Sequence, residues 1–338
     1  GYQYAWLSAD ATLELVVGGH ARLPSEPMTA STTLNAYSVA KTLTAAAILE
    51  LAAQQRLDLD APLDSLLGFA RSFNQKPTVR QTLAHLGGWP NPLPVSWIHL
   101  AAEHAAFDRA QFVTRVLNDN PRLEKAPGRA FAYSNLGYLL LGVAIENVTR
   151  GRYEDYVEQR LLRPLGLPDG ATLSFTIPSS NRHAYGHIRR LGVLDLALGL
   201  FLERRKFAGR ATGRWVEMQP HYVNGAAYGG LIANAAGLGR YLQALLEPRG
   251  WLTPAAHDLL FAPVRTSAGV ELRRSLGWFR GTLGRHRYFA HAGGGAAYYC
   301  EARLYPELQR ASVVMLNRAG LSDARLLDSL DRCLLPAG

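Results

Sequence analysis

The run NAYSVAKTLTAAAIL, which begins at Asn35, sets Ser38 three residues before Lys41 in an apolar stretch with helical spacing. On a helix, positions i and i+3 share a face. A serine in the first turn lies where outward-pointing N–H groups and the helix dipole favour developing negative charge. A free lysine titrates near pH 10.4. Desolvation lowers that value and makes the amine a proton acceptor, whereas a lysine that stays charged favours the alkoxide. Either state activates a nucleophile. The plainer alternative is a capping serine beside a lysine whose stem is buried and whose head reaches water. Lysine is scarce here, with four against 32 arginines, so its placement in an apolar run is notable.

Two further segments carry groups suited to the same chemistry. In APGRAFAYSNLGYLLLG, Tyr133 and Asn135 stand just before an apolar helix. A tyrosine acts as a general base only where cations lower its pKa from about 10. An asparagine can accept from a lysine and donate to a carbonyl. A loop tyrosine followed by a helix cap is the ordinary reading, and Tyr222-Val223-Asn224 repeats the spacing, so spacing alone does not choose between the two. In FAHAGGGAAYY, His291-Ala292-Gly293 ends a β-like run. Glycines beside a strand let a ligand approach the backbone, and an N–H there can pair with that of Ser38 as an oxyanion hole. Alone, such a glycine run is a turn.

The elements that must position these groups follow from periodicity. YQYAWLSA and TLELVVGG flank a turn and predict a hairpin. Residues 38–55 predict a helix, and 108–118, 135–149 and 152–166 predict others, broken by Pro and Gly. Residues 226–247 read as a turn and a helix. From LRRSLGWFRG to RASVVMLNRAG, aromatic and β-branched runs predict an antiparallel meander, closed by an amphipathic helix over 321–334. The expectation is an α+β fold: an α/β sandwich built from 1–60 and 226–338, with a mainly helical inserted domain over 61–225 and the site in the cleft between them.

Composition narrows the function. The 338 residues carry a net charge of +9, but the arginines are scattered and no nucleic-acid-binding signature accompanies them, so the charge reads as solubility. A nucleic-acid binder would rest on charge alone. Cys300 and Cys333 make no metal cluster and leave the redox compartment open. The chain begins with Gly1, so a missing natural N-terminus is expected, and an exported or a cytoplasmic location both remain open. No run reaches 18 apolar residues.

Together, Ser38-x-x-Lys41, Tyr133-Ser134-Asn135 and His291-x-Gly293, in that order, resemble the serine β-lactamase-like hydrolases: class C β-lactamases, DD-peptidases, D-aminopeptidases and family VIII esterases. The text around Tyr133 over about 40 residues, TLAHLGGWP and YGGLIANAAGLGRYLQALL are similar to that family's segments, and the likeness runs from about residue 30 to 320. It settles the two Tyr-x-Asn matches in favour of Tyr133. It implies Ser38 as acyl-forming nucleophile, Lys41 and Tyr133 as the base system, Asn135 as orienting group, and Gly293 with the Gly294 N–H at the oxyanion hole. His291 stands where many relatives have lysine. It implies no metal and no cofactor, and a small-molecule or peptide substrate.

Two departures bear on substrate. Ala292 occupies a position where β-lactamases and DD-peptidases carry a hydroxyl that helps hold a substrate carboxylate, and His291 is a weaker, pH-dependent cation than lysine. Both favour an esterase or amidase/peptidase over β-lactamase or DD-peptidase activity. A non-catalytic binding protein of the same fold is a further alternative, against which Ser38, Lys41 and Tyr133 all stand intact. HIRRLGVLDLALGLFLERRKF, residues 187–207, admits three readings: an interfacial helix on a membrane surface, a lid over the cleft, or a buried core helix. Oligomeric state is open.

Overall fold

Alternation along the terminal strands builds the central layer. The computed structural model describes residues 1–8, 13–69, 73–92, 97–178, 182–192, 204–247, 251–295, 297–320 and 325–335. Nine strands matter for the site. They are β1 (Tyr2–Ser8), β2 (Leu13–Gly18), β3 (Leu34–Tyr37), β4 (Leu231–Ala233), β5 (Arg274–Ser275), β6 (Trp278–Leu283), β7 (His286–Gly294), β8 (Tyr299–Tyr305) and β9 (Arg310–Leu316). Seven form one antiparallel sheet in the order β5-β6-β7-β8-β9-β1-β2. The first strand of the chain thus pairs with the last, Tyr2 opposite Leu316 and Ala5 opposite Val313.

Successive side chains point to opposite faces of a sheet. Ala5, Leu7, Ala302, Leu304, Ala311 and Val313 fall on one face and join the main core. Helix α3 (Ala235–Leu246) packs there; a Cβ at its Gly239 would lie 2.7 Å from the Leu7 side chain. The opposite face carries Tyr4, Tyr305 and Ser312, all hydrogen-bonded to Asp331 of the last helix, α4 (Leu326–Arg332). A sheet with a helix on each face is the expected sandwich.

The segment that carries Ser38 enters the core as β3 followed by helix α1 (Ala40–Ala53). Eleven of its fourteen residues are buried, so this helix is apolar all round rather than amphipathic. Each fully buried Leu or Ile here, such as Leu43, Ile48 and Leu49, contributes roughly 1.5–3 kcal/mol. Helix α2 (Asn135–Thr149) packs beside it and spans the residues the sequence predicts.

The central region differs from expectation. Besides helices it holds short strands: Ile98–Leu100 with His221–Val223, Leu173–Ser174 beside β4, and a three-stranded sheet of Gly186–Arg189, Trp215–Met218 and Ala208–Thr212. Runs of two to five residues are too short to carry a legible period of two. The stretch 187–207 is accordingly not one helix. It starts inside a strand, turns at exposed Leu191, and ends in a single helical turn, Arg204–Phe207; 193–203 lie outside the described residues, and the lid, lipid-surface and core readings fall there. The segment 226–247 likewise contains β4 between two helices. Cys300 is buried, Cys333 is exposed, and both are free thiols. Among the described residues no helix is long and apolar enough to cross a membrane.

Candidate active site

Ser38 sits between β3 and α1, and the turn that presents it is strained. Tyr37 has φ +45°, a left-handed conformation in which a side chain is disfavoured. Its phenol is tied to His221: Nδ1–H of that ring donates to the Gln219 carbonyl at 2.9 Å, leaving Nε2 to accept from Tyr37 OH at 3.0 Å. β3 also pairs with β4, Tyr37 opposite Leu231, and this brings the Tyr228-Gly229-Gly230 segment against α1.

The structure brings Lys41, Tyr133 and Asn135 to Ser38. Lys41 Nζ lies 3.1 Å from Ser38 Oγ, and Tyr133 OH donates to the same oxygen at 2.9 Å. Lys41 also donates to Asn135 Oδ1 at 2.8 Å and to the Tyr228 carbonyl at 2.7 Å. It is fully buried, under the rings of Tyr133, Tyr138 and Tyr228. Burial pushes its pKa well below the ordinary lysine value, because its near neighbours are neutral oxygens rather than carboxylates. A neutral amine has two hydrogens and one lone pair. The two hydrogens match Asn135 Oδ1 and the Tyr228 carbonyl, and the lone pair faces Ser38, whose O–H can donate to it.

Tyr133 does not become the phenolate that a lowered pKa would require. Burial raises its pKa, outweighing the bond to Ser38, so it holds its proton. Its segment is well fixed. Ser134 caps α2, accepting from Gly137 N at 2.9 Å and donating to the Pro90 carbonyl at 2.7 Å; the cap is therefore Ser134, and Asn135 is free to face the lysine. Asn91 Oδ1 accepts from Asn135 N at 3.0 Å. His85 binds both neighbours of Tyr133: its carbonyl accepts from Ala132 N at 2.8 Å and its Nδ1 from Ser134 N at 3.1 Å. Its ring lies 4.4 Å from that of Tyr133. The second Tyr-x-Asn match is elsewhere: Asn224 Oδ1 meets His99 Nδ1 at 2.7 Å, and Tyr222 stacks on His104.

β7 forms the remaining wall. Gly293 is dictated by space, since a Cβ there would overlap the Ala36 carbonyl oxygen and come within 2.8 Å of Ser38 N. The backbone of β7 thus lies against the Ser38 N–H, and Gly294 follows at an exposed position. Two N–H groups from such a corner suit an oxyanion. His291 departs from the weak cation expected of it. It is buried, and desolvation above all lowers its pKa to about 3. Its Nδ1–H donates to the Ala292 carbonyl at 2.9 Å, which leaves a neutral ring with an accepting Nε2.

Sequence reasoning missed the Tyr228 carbonyl, His85 and Asn91. A backbone acceptor leaves no residue signature. His85 lies inside the TLAHLGGWP segment, yet its role is visible only from its bonds.

The fold and this arrangement define a serine-centred β-lactamase-type site. The Beta-lactamase family model matches residues 5–334, and the chain belongs to that family. It is 22% identical over 306 residues to Penicillin-binding protein 4* of Bacillus subtilis (strain 168), covering 89% of this chain and 64% of that protein. It is 33% identical over 154 residues to Protein flp of Staphylococcus aureus (strain MW2), covering 44% of this chain and 29% of that protein. The chain thus spans less than two thirds of the length of these curated relatives. Among solved structures, the octameric penicillin-binding protein homologue from Pyrococcus abyssi aligns with TM-score 0.76 at 20% identity over 98% of this chain and 73% of the other. The D-amino acid amidase from Ochrobactrum anthropi SV3 complexed with L-phenylalanine aligns with TM-score 0.76 at 20% identity, over 98% and 91%. At these identities the two structures speak for the fold.

Proposed function

We propose that the protein is a serine hydrolase that cleaves an ester or amide of a small or peptidic substrate through an acyl-enzyme on Ser38. The carrying observation is Ser38 Oγ held between a desolvated Lys41 amine at 3.1 Å and the Tyr133 hydroxyl at 2.9 Å. Lys41 takes the Ser38 proton as Oγ attacks the carbonyl, and the N–H groups of Ser38 and Gly294 receive the oxyanion. Tyr133, protonated at rest, gives its proton to the departing heteroatom. In the second half water attacks the acyl carbonyl, the Tyr133 phenolate takes its proton, and Lys41 returns a proton to Ser38 Oγ, releasing the acid. Asn135 holds the lysine by one oxygen and keeps its amide for the substrate.

Ala292 and the neutral His291 favour an esterase or amidase over a β-lactamase, because neither supplies a hydroxyl or a cation from β7. The likeness to a penicillin-binding protein keeps cell-wall peptides and penicillins as the competing substrates. Treatment with a fluorophosphonate, followed by peptide mass spectrometry, is expected to place the adduct on Ser38 and to find none in Ser38→Ala. Labelling at another serine, or full turnover without Ser38, overturns the proposal. A panel of p-nitrophenyl esters, nitrocefin and D-amino-acid p-nitroanilides then separates the substrate classes.

A further inference from the structure

Arginines that stand apart in the sequence are gathered by the fold at one corner. It lies on the small sheet of Gly186–Arg189, Trp215–Met218 and Ala208–Thr212. Two turns meet there: Arg190 N–H donates to the Arg214 carbonyl at 2.8 Å, and Arg189 stands opposite Trp215. Arg318, two residues beyond β9, sets its guanidinium carbon 5.2 Å from the Trp215 ring centroid. Arg189, Arg190, Arg214 and Arg318 are all exposed, and Trp215 is half-buried.

Among the described residues none of these four guanidinium groups has a hydrogen bond or an ion pair. The one acid on the three strands, Glu217, is taken by Arg22 at 3.3 Å, and Arg22 lies 3.7 Å from Glu26 as well. Exposed arginines without acids leave a local positive field.

Leu191 stands among them. Its exposure of 78% is the highest of the large apolar side chains among the described residues. It also has φ +58°, a left-handed conformation that glycine or asparagine adopts at less cost. A leucine is thus held out into solvent beside Arg189 and Arg190, with Arg214 on the adjoining turn.

The charge calls for an anionic partner, and the leucine decides which kind. A soluble polyanion offers phosphates or carboxylates to the arginines but no hydrocarbon to Leu191. An anionic bilayer offers both, together with an interfacial layer that suits a half-buried tryptophan.

We propose that this corner is a docking surface for an anionic phospholipid bilayer. Leu191 enters between the headgroups, and Arg189, Arg190, Arg214 and Arg318 bind their phosphates. The contact is made by two turns of a small sheet, not by a helix over 187–207. It goes beyond the hydrolase reading and does not depend on it.

Sedimentation of the full chain with phosphatidylcholine vesicles containing phosphatidylglycerol, and with phosphatidylcholine vesicles alone, tests this. Binding is expected to the first and not to the second, and added salt should weaken it. Arg189→Gln/Arg190→Gln/Arg214→Gln is expected to lower the partition coefficient about 100-fold, roughly fivefold for each charge. Leu191→Ser should lower it about tenfold. Three exposed charges removed from other elements, in Arg122→Gln/Arg160→Gln/Arg163→Gln, should leave binding near that of the wild type. Unchanged urea midpoints show that each variant is folded. Ser38→Ala should bind as the wild type does, so a failure of the hydrolase reading leaves this test intact. No binding of the wild type to anionic vesicles overturns the proposal. Equal losses from the two triple variants also overturn it, by making net charge the cause. An unchanged partition in Leu191→Ser overturns the membrane as partner, and equally tight binding of soluble polyphosphate would then make the corner a polyanion site.

Discussion

Lys41 and Arg303 are both basic side chains withdrawn from water, and their surroundings are opposite. Arg303, on the outer face of the sheet, donates from Nη2 to Glu301 and Asp328 at 2.7 Å each, and from Nη1 to Tyr305 OH at 3.2 Å. Burial alone would lower its pKa, but Tyr305 and Glu301 outweigh burial and keep it protonated. Lys41 meets the oxygens of an amide, a peptide and a hydroxyl, and burial lowers its pKa unopposed. A buried cation surrounded by acids holds its proton and fastens a helix to a sheet. A buried amine surrounded by neutral dipoles can exchange its proton, and that is what a serine nucleophile needs.

The sharpest way to break this contrast is Lys41→Arg. A guanidinium does not deprotonate in proteins, so the base at this position is lost and a fixed cation takes its place. Turnover of a p-nitrophenyl ester is expected to fall roughly 10²- to 10⁴-fold. Near-normal kcat would show that charge, rather than a free lone pair, activates Ser38. On the other side of the molecule, Glu301→Gln leaves Arg303 short of a counter-ion. Urea denaturation should register a loss approaching the roughly 3–5 kcal/mol for a broken buried pair, with kcat per folded molecule unchanged. A collapse of kcat at wild-type stability would erase the division between the two regions.

The last effect is read in pH. His183, His221 and His291 are buried, and desolvation first of all lowers them to about 3, about 4 and about 3. Unfolded, each titrates near 6.5. Between those values the folded state binds fewer protons than the unfolded one, so stability is lost as pH falls from about 6.5 and is unaffected by these groups above it. Urea midpoints measured from pH 7 to pH 4 should drop steadily, and His221→Gln should flatten part of the slope. A constant midpoint would mean that these rings are charged in the folded protein.

Much of the frame was legible beforehand. The β1–β2 hairpin, the C-terminal meander and the helix over 135–149 follow from periods of two and 3.6, which local side-chain geometry imposes. The strands of the central region were hidden because two to five residues cannot display a period. The stretch 187–207 misled for a related reason: an apolar run with basic flanks is compatible with a helix, yet its first residues pair with Trp215–Met218 as a strand.

Residue type and spacing by themselves set Lys41 three residues after Ser38 at the start of a helix, and the likeness of three short motifs to one family named Tyr133, Asn135, His291 and Gly293 as partners. The protonation states were decided only by the tertiary structure, because a pKa depends on what surrounds a group rather than on its neighbours in sequence. Packing makes Lys41 a candidate base, keeps Tyr133 an acid and strips His291 of the charge expected of it. Packing also sets Arg274, unremarkable in sequence among 32 arginines, between the rings of Phe131 and Phe279.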